Sequence, residues 1–178
     1  MTDAMTYFAV PGWVRLIPVA DLGTAERHLV DLLVDSPDQT RAQARLAEFE
    51  SAASDVVEGA AEHGIWLLGL ATPPGRPAAL LSVTGFRMPL GRHGSTELLS
   101  HLEDQGGPGI DGLRLVPLDY GRTAVVLHRV DRSGSQGQAF VPDAEGDGCF
   151  VFTLAAPEPD RGPELLDLVR EIVAAATA

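Results

Sequence analysis

LRLVPLDYGRTAVVLHRVDRSGSQGQAFVPDAEGDGCFVFTLAAPEPDRGPELLDLVREIVAAATA occupies residues 113–178. Apolar residues alternate with other residues over 113–118, 123–130, 138–141 and 149–155, the period of half-buried strands. Asp119-Tyr120-Gly121-Arg122 between the first two segments is a hairpin signature. A polar turn over 131–137 and an acidic turn over 142–148 separate the rest. Pro163 then opens a helix whose Leu165, Leu166, Leu168, Val169, Ile172 and Val173 form one apolar stripe. Consecutive hairpins followed by an amphipathic helix specify an antiparallel sheet with a helix folded back on it.

Working back toward the N-terminus, residues 7–18 (YFAVPGWVRLIP) read as a strand or bent hairpin arm interrupted at Pro11-Gly12. Strand alternation places Trp13, Arg15 and Ile17 on one face and Val14 and Leu16 on the other. Two helical segments follow. In 21–34, Leu22, Ala25, Leu29, Leu32 and Leu33 recur at helical spacing. Ser36-Pro37 offers a cap and first turn for a second segment, in which Leu46, Phe49, Ala53, Val56, Val57 and Ala60 keep the 3.6-residue period up to His63. Residues 65–71 (IWLLGLA) read as a buried strand, Thr72-Pro73-Pro74-Gly75 as a turn, and 78–88 as the returning strand. After a loop over 89–94, Ser95 is expected to cap a short helix bearing Leu98, Leu99 and Leu102. Residues 106–112 (GGPGIDG) read as a connector. The order is β-α-α-β-β-α-β-β-β-β-α, an α+β fold with an antiparallel β-sheet of about six or seven strands flanked by helices. The 178 residues suit a single α+β domain, with the helical segment at 21–63 and the sheet and C-terminal helix at 65–178.

Composition narrows the function classes. All 13 basic residues are Arg, which removes lysine Schiff-base chemistry and the phosphate-gripping Lys of a P-loop. With abundant Ala, Gly and Pro, Arg-only usage reads as a GC-rich coding sequence. A net charge of −12 disfavours nucleic acid and anionic membrane surfaces. The single cysteine, Cys149, has no internal partner for a disulfide. The first residues show no secretory signal pattern, and no apolar run approaches the ~20 residues that span a bilayer. A cytoplasmic location without membrane insertion is the expectation.

Several residues carry chemistry in principle. Arg87, Arg92 and His93 form the only local basic cluster, in a loop able to receive a carboxylate or phosphate. His93, Glu97 and His101 have a metal-ligand flavour, but Leu98, Leu99 and Leu102 define the buried side of that helix, so Glu97, His101 and Asp104 read as a solvated face. Cys149 sits opposite Phe150, Phe152 and Leu154 in its strand and reads as core filler. A reactive thiol would need a partner such as His128, which itself reads as a structural strand histidine. Ser133 and Ser135 lack a nucleophile-elbow setting. Asp143, Glu145 and Asp147 alternate as in a calcium loop, without the downstream bidentate Glu. Trp13, Trp66, Phe86 and Phe140 fall in strands, where most are expected in the core; an exposed one would mark a partner surface.

Gln138-Ala139-Phe140-Val141-Pro142, then Phe150-Val151-Phe152-Thr153-Leu154-Ala155-Ala156-Pro157, then the helix over 163–176 resemble a group of small actinobacterial proteins of unknown function with a Mog1/PsbP-like fold. The resemblance implies an α-β-α sandwich. It also implies a role by contact with other proteins rather than by catalysis, because family members with known roles bind or assist a small GTPase or photosystem subunits. No functional residue carries over. The expectation is therefore a non-catalytic protein–protein interaction domain (adaptor, accessory subunit or chaperone), monomer or homodimer, with an unknown protein partner and no cofactor. The rival is a small enzyme or ligand-binding protein with a pocket between sheet and helices, using His128, Cys149 or the Arg87, Arg92 and His93 loop.

Overall fold

The computed structural model describes residues 9–19, 21–34, 56–60, 62, 64–87, 94–105, 110–118, 121–132, 134–143 and 148–176. Seven strands form one sheet: β1 (Val14–Pro18), β2 (Ile65–Ala71), β3 (Ala79–Arg87), β4 (Ile110–Pro117), β5 (Thr123–Asp131), β6 (Gly134–Pro142) and β7 (Gly148–Ala156). Their order across the sheet is β1-β2-β3-β7-β6-β5-β4, and every neighbouring pair is antiparallel. Hairpins join β2 to β3 and make β4 through β7 a meander. The long connection from β3 crosses to the far edge, so the meander returns its last strand to β3. Helices α1 (Leu22–Val34), α2 (Gly94–Gln105) and α3 (Gly162–Ala176) flank the sheet, with a further helical stretch at 56–60 and a 3-10 turn at Pro159–Arg161.

Local chemistry accounts for the boundaries. Asp21 precedes α1 and accepts from the Thr24 amide and hydroxyl, satisfying one of the unpaired first-turn donors. Those hydrogen bonds hold its carboxyl below the usual carboxylate value. The β2–β3 hairpin turns through Pro74 and Gly75, with Gly75 at φ 70° and Arg76 N–H donating to the Pro73 carbonyl, 3.2 Å.

The two faces of the sheet pack differently. On the first, α3 lays Leu165, Leu166, Leu168, Val169, Ile172 and Val173 onto Ala124, Val126, Ala139, Val141, Phe152 and Leu154, and all twelve are buried. At about 1.5–3 kcal/mol per fully buried aliphatic side chain, that helical stripe contributes on the order of 10 kcal/mol. The helix reaches its close seat because β6 presents Gly137: a Cβ there would lie 2.6 Å from the Leu165 carbonyl carbon and oxygen. On the second face there are two smaller clusters. Ala25, Leu29, Val57 and Ala60 cover Ile17 and Leu68 at the β1–β2 side, and Leu98 covers Val125 and Cys149 at the other. Between them runs a half-buried polar row, Ser82, Thr153 and Gln138, in register across β3, β7 and β6.

Four expectations are corrected. Residues 131–137 are not one polar turn, because β6 begins at Gly134. Gly is a poor strand former, but at Gly137 the missing side chain is what the approach of α3 requires, and at Gly134 it makes room for the Ala156-Pro157 backbone, so packing overrides propensity. Ile110, Asp111 and Gly112 belong to β4 rather than to a connector, whose residues 106–109 lie outside the described residues. Ser95 does not cap α2: the helix already includes Gly94, and the Ser95 hydroxyl donates to the Thr123 carbonyl at 2.6 Å, fastening α2 to β5. Trp13 is in a turn before β1 and packs with the Val14 and Leu16 side of the sheet, not with Ile17. The helix expected to start at Ser36-Pro37 is described only at 56–60 and 62, where it is helical; the rest lies outside the described residues.

Candidate functional site

In β2 the register slips between Ile65 and Leu67. Ile65 pairs with Thr84 and Leu67 with Val83, so Trp66 has no partner across the ladder. A bulge of this kind re-aims a side chain. Strict alternation would send Trp66 to the side of Leu68, under α1. Instead the indole lies over Gly85 on the α3 side: a Cβ on Gly85 would be 2.5 Å from its Cη2. Phe150 meets the indole edge-on, with ring centroids 5.8 Å apart and an interplanar angle of 76°. Edge-to-face geometry suits the aromatic quadrupole.

The neighbours of Gly85 complete the site. Phe86 projects to the opposite face, beside Cys149 in register. Arg87, at the end of β3, follows the alternation back to the Trp66 face. Trp66 is 44% exposed, Phe86 41%, and Arg87 is exposed as well. The expectation of mostly core aromatics is thus corrected: Trp66 and Phe86 are exposed, and Trp13 and Phe140 only partly buried. The bulge explains Trp66, because a period-two reading has no means of placing an extra residue.

The other candidates are dispersed. Of the basic cluster, Arg87 is placed as above, and Arg92 and His93 lie outside the described residues. Glu97, His101 and Asp104 are exposed on α2 as the helical pattern requires. No group of three or more potential metal ligands gathers among the described residues. Asp143 closes the turn before β7, its amide donating to the Gly148 carbonyl at 3.0 Å, and Glu145 and Asp147 lie outside the described residues. Ser133 also lies outside them, whereas Ser135 is fully buried, its hydroxyl without a hydrogen-bond partner.

His128 and Cys149 are on opposite faces. His128 is in register with Gly137 and, through it, with Leu154, on the α3 side. Its ring fills the space beside Gly162, where a Cβ would lie 2.4 Å from Cδ2. Cys149 is five residues back along β7 from Leu154, about 17 Å at strand rise, and faces Leu98 and Val125. The two cannot form a nucleophile–base pair without taking the sheet apart. Burial pushes the Cys149 thiol up to about 12, and the Asp143 carboxylate adds to the shift.

Arg161 escaped sequence reasoning altogether. It is only 7% exposed. Its guanidinium donates to the Pro77 and Ala78 carbonyls at 2.8 and 2.9 Å and to Glu164 at 2.8 Å, with Glu158 at 3.5 Å. Those partners lock the β2–β3 hairpin to the start of α3 and use the cation structurally. Its signal, an Arg three residues before a Glu at a helix start, is too common to single out.

Among the described residues no helix is long and apolar enough to cross a membrane. Comparison with protein-family models, with curated proteins and with solved structures finds no significant match.

Proposed function

We propose that this chain is a non-catalytic protein–protein interaction domain, and that it meets its partner at the end of β3 through Trp66, Phe86 and Arg87. The observation that carries this reading is the exposure of Trp66 and Arg87 on one face of the sheet at the end of β3, with a second large aromatic, Phe86, exposed on the other face of the same strand end. Trp and Arg are the residue types that dominate binding energy at interfaces. Holding Trp66 by a bulge over a glycine presents a rigid anchor, so little side-chain entropy is lost on contact. The dispersal of His128, Cys149 and the α2 carboxylates over separate faces supports the same reading, since a reaction needs its groups within hydrogen-bond reach of one another. Kinship with the Mog1/PsbP-like group is part of the proposal. It is supported by the strand ending at Pro142, the strand that follows, the break at Pro157 and the terminal helix.

The test is quantitative capture. Tagged wild-type protein, Phe86→Ser and Arg87→Glu are each used to isolate binders from the native host, and the recovered partner is then titrated against all three. Each substitution is expected to weaken binding at least tenfold, the ~1.4 kcal/mol or more typical of an anchor residue. Unchanged unfolding midpoints would show that the variants fold. Enrichment of no protein over a tag-only control, or equal affinity for all three forms, overturns the proposal.

A further inference from the structure

We draw no further inference here: the strongest candidate, the half-buried polar row Ser82, Thr153 and Gln138 across the middle of the sheet between its two helical clusters, carries no proposal because nothing in the structure shows what covers it.

Discussion

Cys149 and Gly137 show how much of a residue's behaviour is set by what stands opposite it. Burial among apolar neighbours outweighs the backbone hydrogen bonding the thiol receives, and the Asp143 carboxylate adds to it, so the thiolate is disfavoured and the group is pushed up to about 12. At pH 8 a thiol reagent is expected to leave the native protein unmodified and to label it stoichiometrically in denaturant; rapid labelling of folded protein would contradict the burial. The linkage has a definite sign. A folded-state value raised above the ordinary thiol value of 9.0 contributes stability that is fully present below pH 9 and is lost as pH rises toward about 12. Gly137→Ala would drive a methyl group into the Leu165 backbone, which yields only if α3 moves, so a loss of about 1–3 kcal/mol is expected in denaturant unfolding. Gly162 differs, because its obstacle is the His128 ring and its φ of −47° is ordinary helix. Gly162→Ala is expected to destabilise the wild type but not the His128→Ala variant, a coupling that a double-mutant cycle reads directly. The side of Cys149 was legible from alternation alone, with Val151 and Thr153 on one face and Phe150, Phe152 and Leu154 on the other. The glycine contacts were not, since they depend on a helix 28 residues further on in the case of Gly137 and Leu165.

At the scale of elements, the junction between β7 and α3 is tied to a distant hairpin by one side chain. Arg161 bridges carbonyls 83 and 84 residues away in sequence and a carboxylate three residues on. Arg161→Ala would leave the Pro77 and Ala78 carbonyls and two partly exposed carboxylates without their donor, and a loss of about 1–3 kcal/mol is expected. Arg161→Lys is expected to recover only part, because one ammonium cannot reproduce the forked geometry. The Glu164 carboxyl is held below its ordinary value of 4.5, chiefly by hydrogen bonding to Arg161. A depressed folded-state value gives stability that is present above about pH 4.5 and is lost as pH falls through the lower, folded value. Glu164→Gln is therefore expected to unfold at lower denaturant than wild type at pH 7, with the difference shrinking as pH falls below 4.5; parallel curves throughout would show that the pair contributes nothing. Among the described residues the helices and most strands were legible, because periodicity is a local property. The segment 134–137 was not: its Gly, Ser and Gln read as a turn until α3 is laid across it, and the bulge that turns Trp66 leaves no mark in a seven-residue apolar run.

At the scale of the molecule, the order of the described elements followed from the sequence, whereas the placing of β7 beside β3 did not. Those strands are joined in register from Leu80–Ala155 to Arg87–Gly148, about seventy residues apart, and nothing in either strand names the other. The candidate surface was equally hidden, because Trp66 of β2 reaches the end of β3 only through a register slip. The architecture nonetheless makes a demand that can be tested. The meander from β4 to β7 turns a face of Ala124, Val126, Ala139, Val141, Phe152 and Leu154 toward α3, and α3 follows the whole meander in sequence. Without it that face has no cover among the elements described, and the Arg161 tie to the β2–β3 hairpin disappears with it. A chain ending at Pro157 is expected to lose cooperative unfolding, bind a hydrophobic dye strongly and self-associate, since the missing helix supplies on the order of 10 kcal/mol and whole domains have a net stability of about 5–15 kcal/mol. Adding a synthetic peptide of residues 158–178 in trans is expected to restore part of the signal, because the seat is already shaped by Gly137 and Gly162's neighbour His128 lies on the sheet itself. A truncated chain that stays monomeric and unfolds in one sharp transition would mean that the sheet holds itself together by its ladders alone, and that α3 is free to undock in the intact protein.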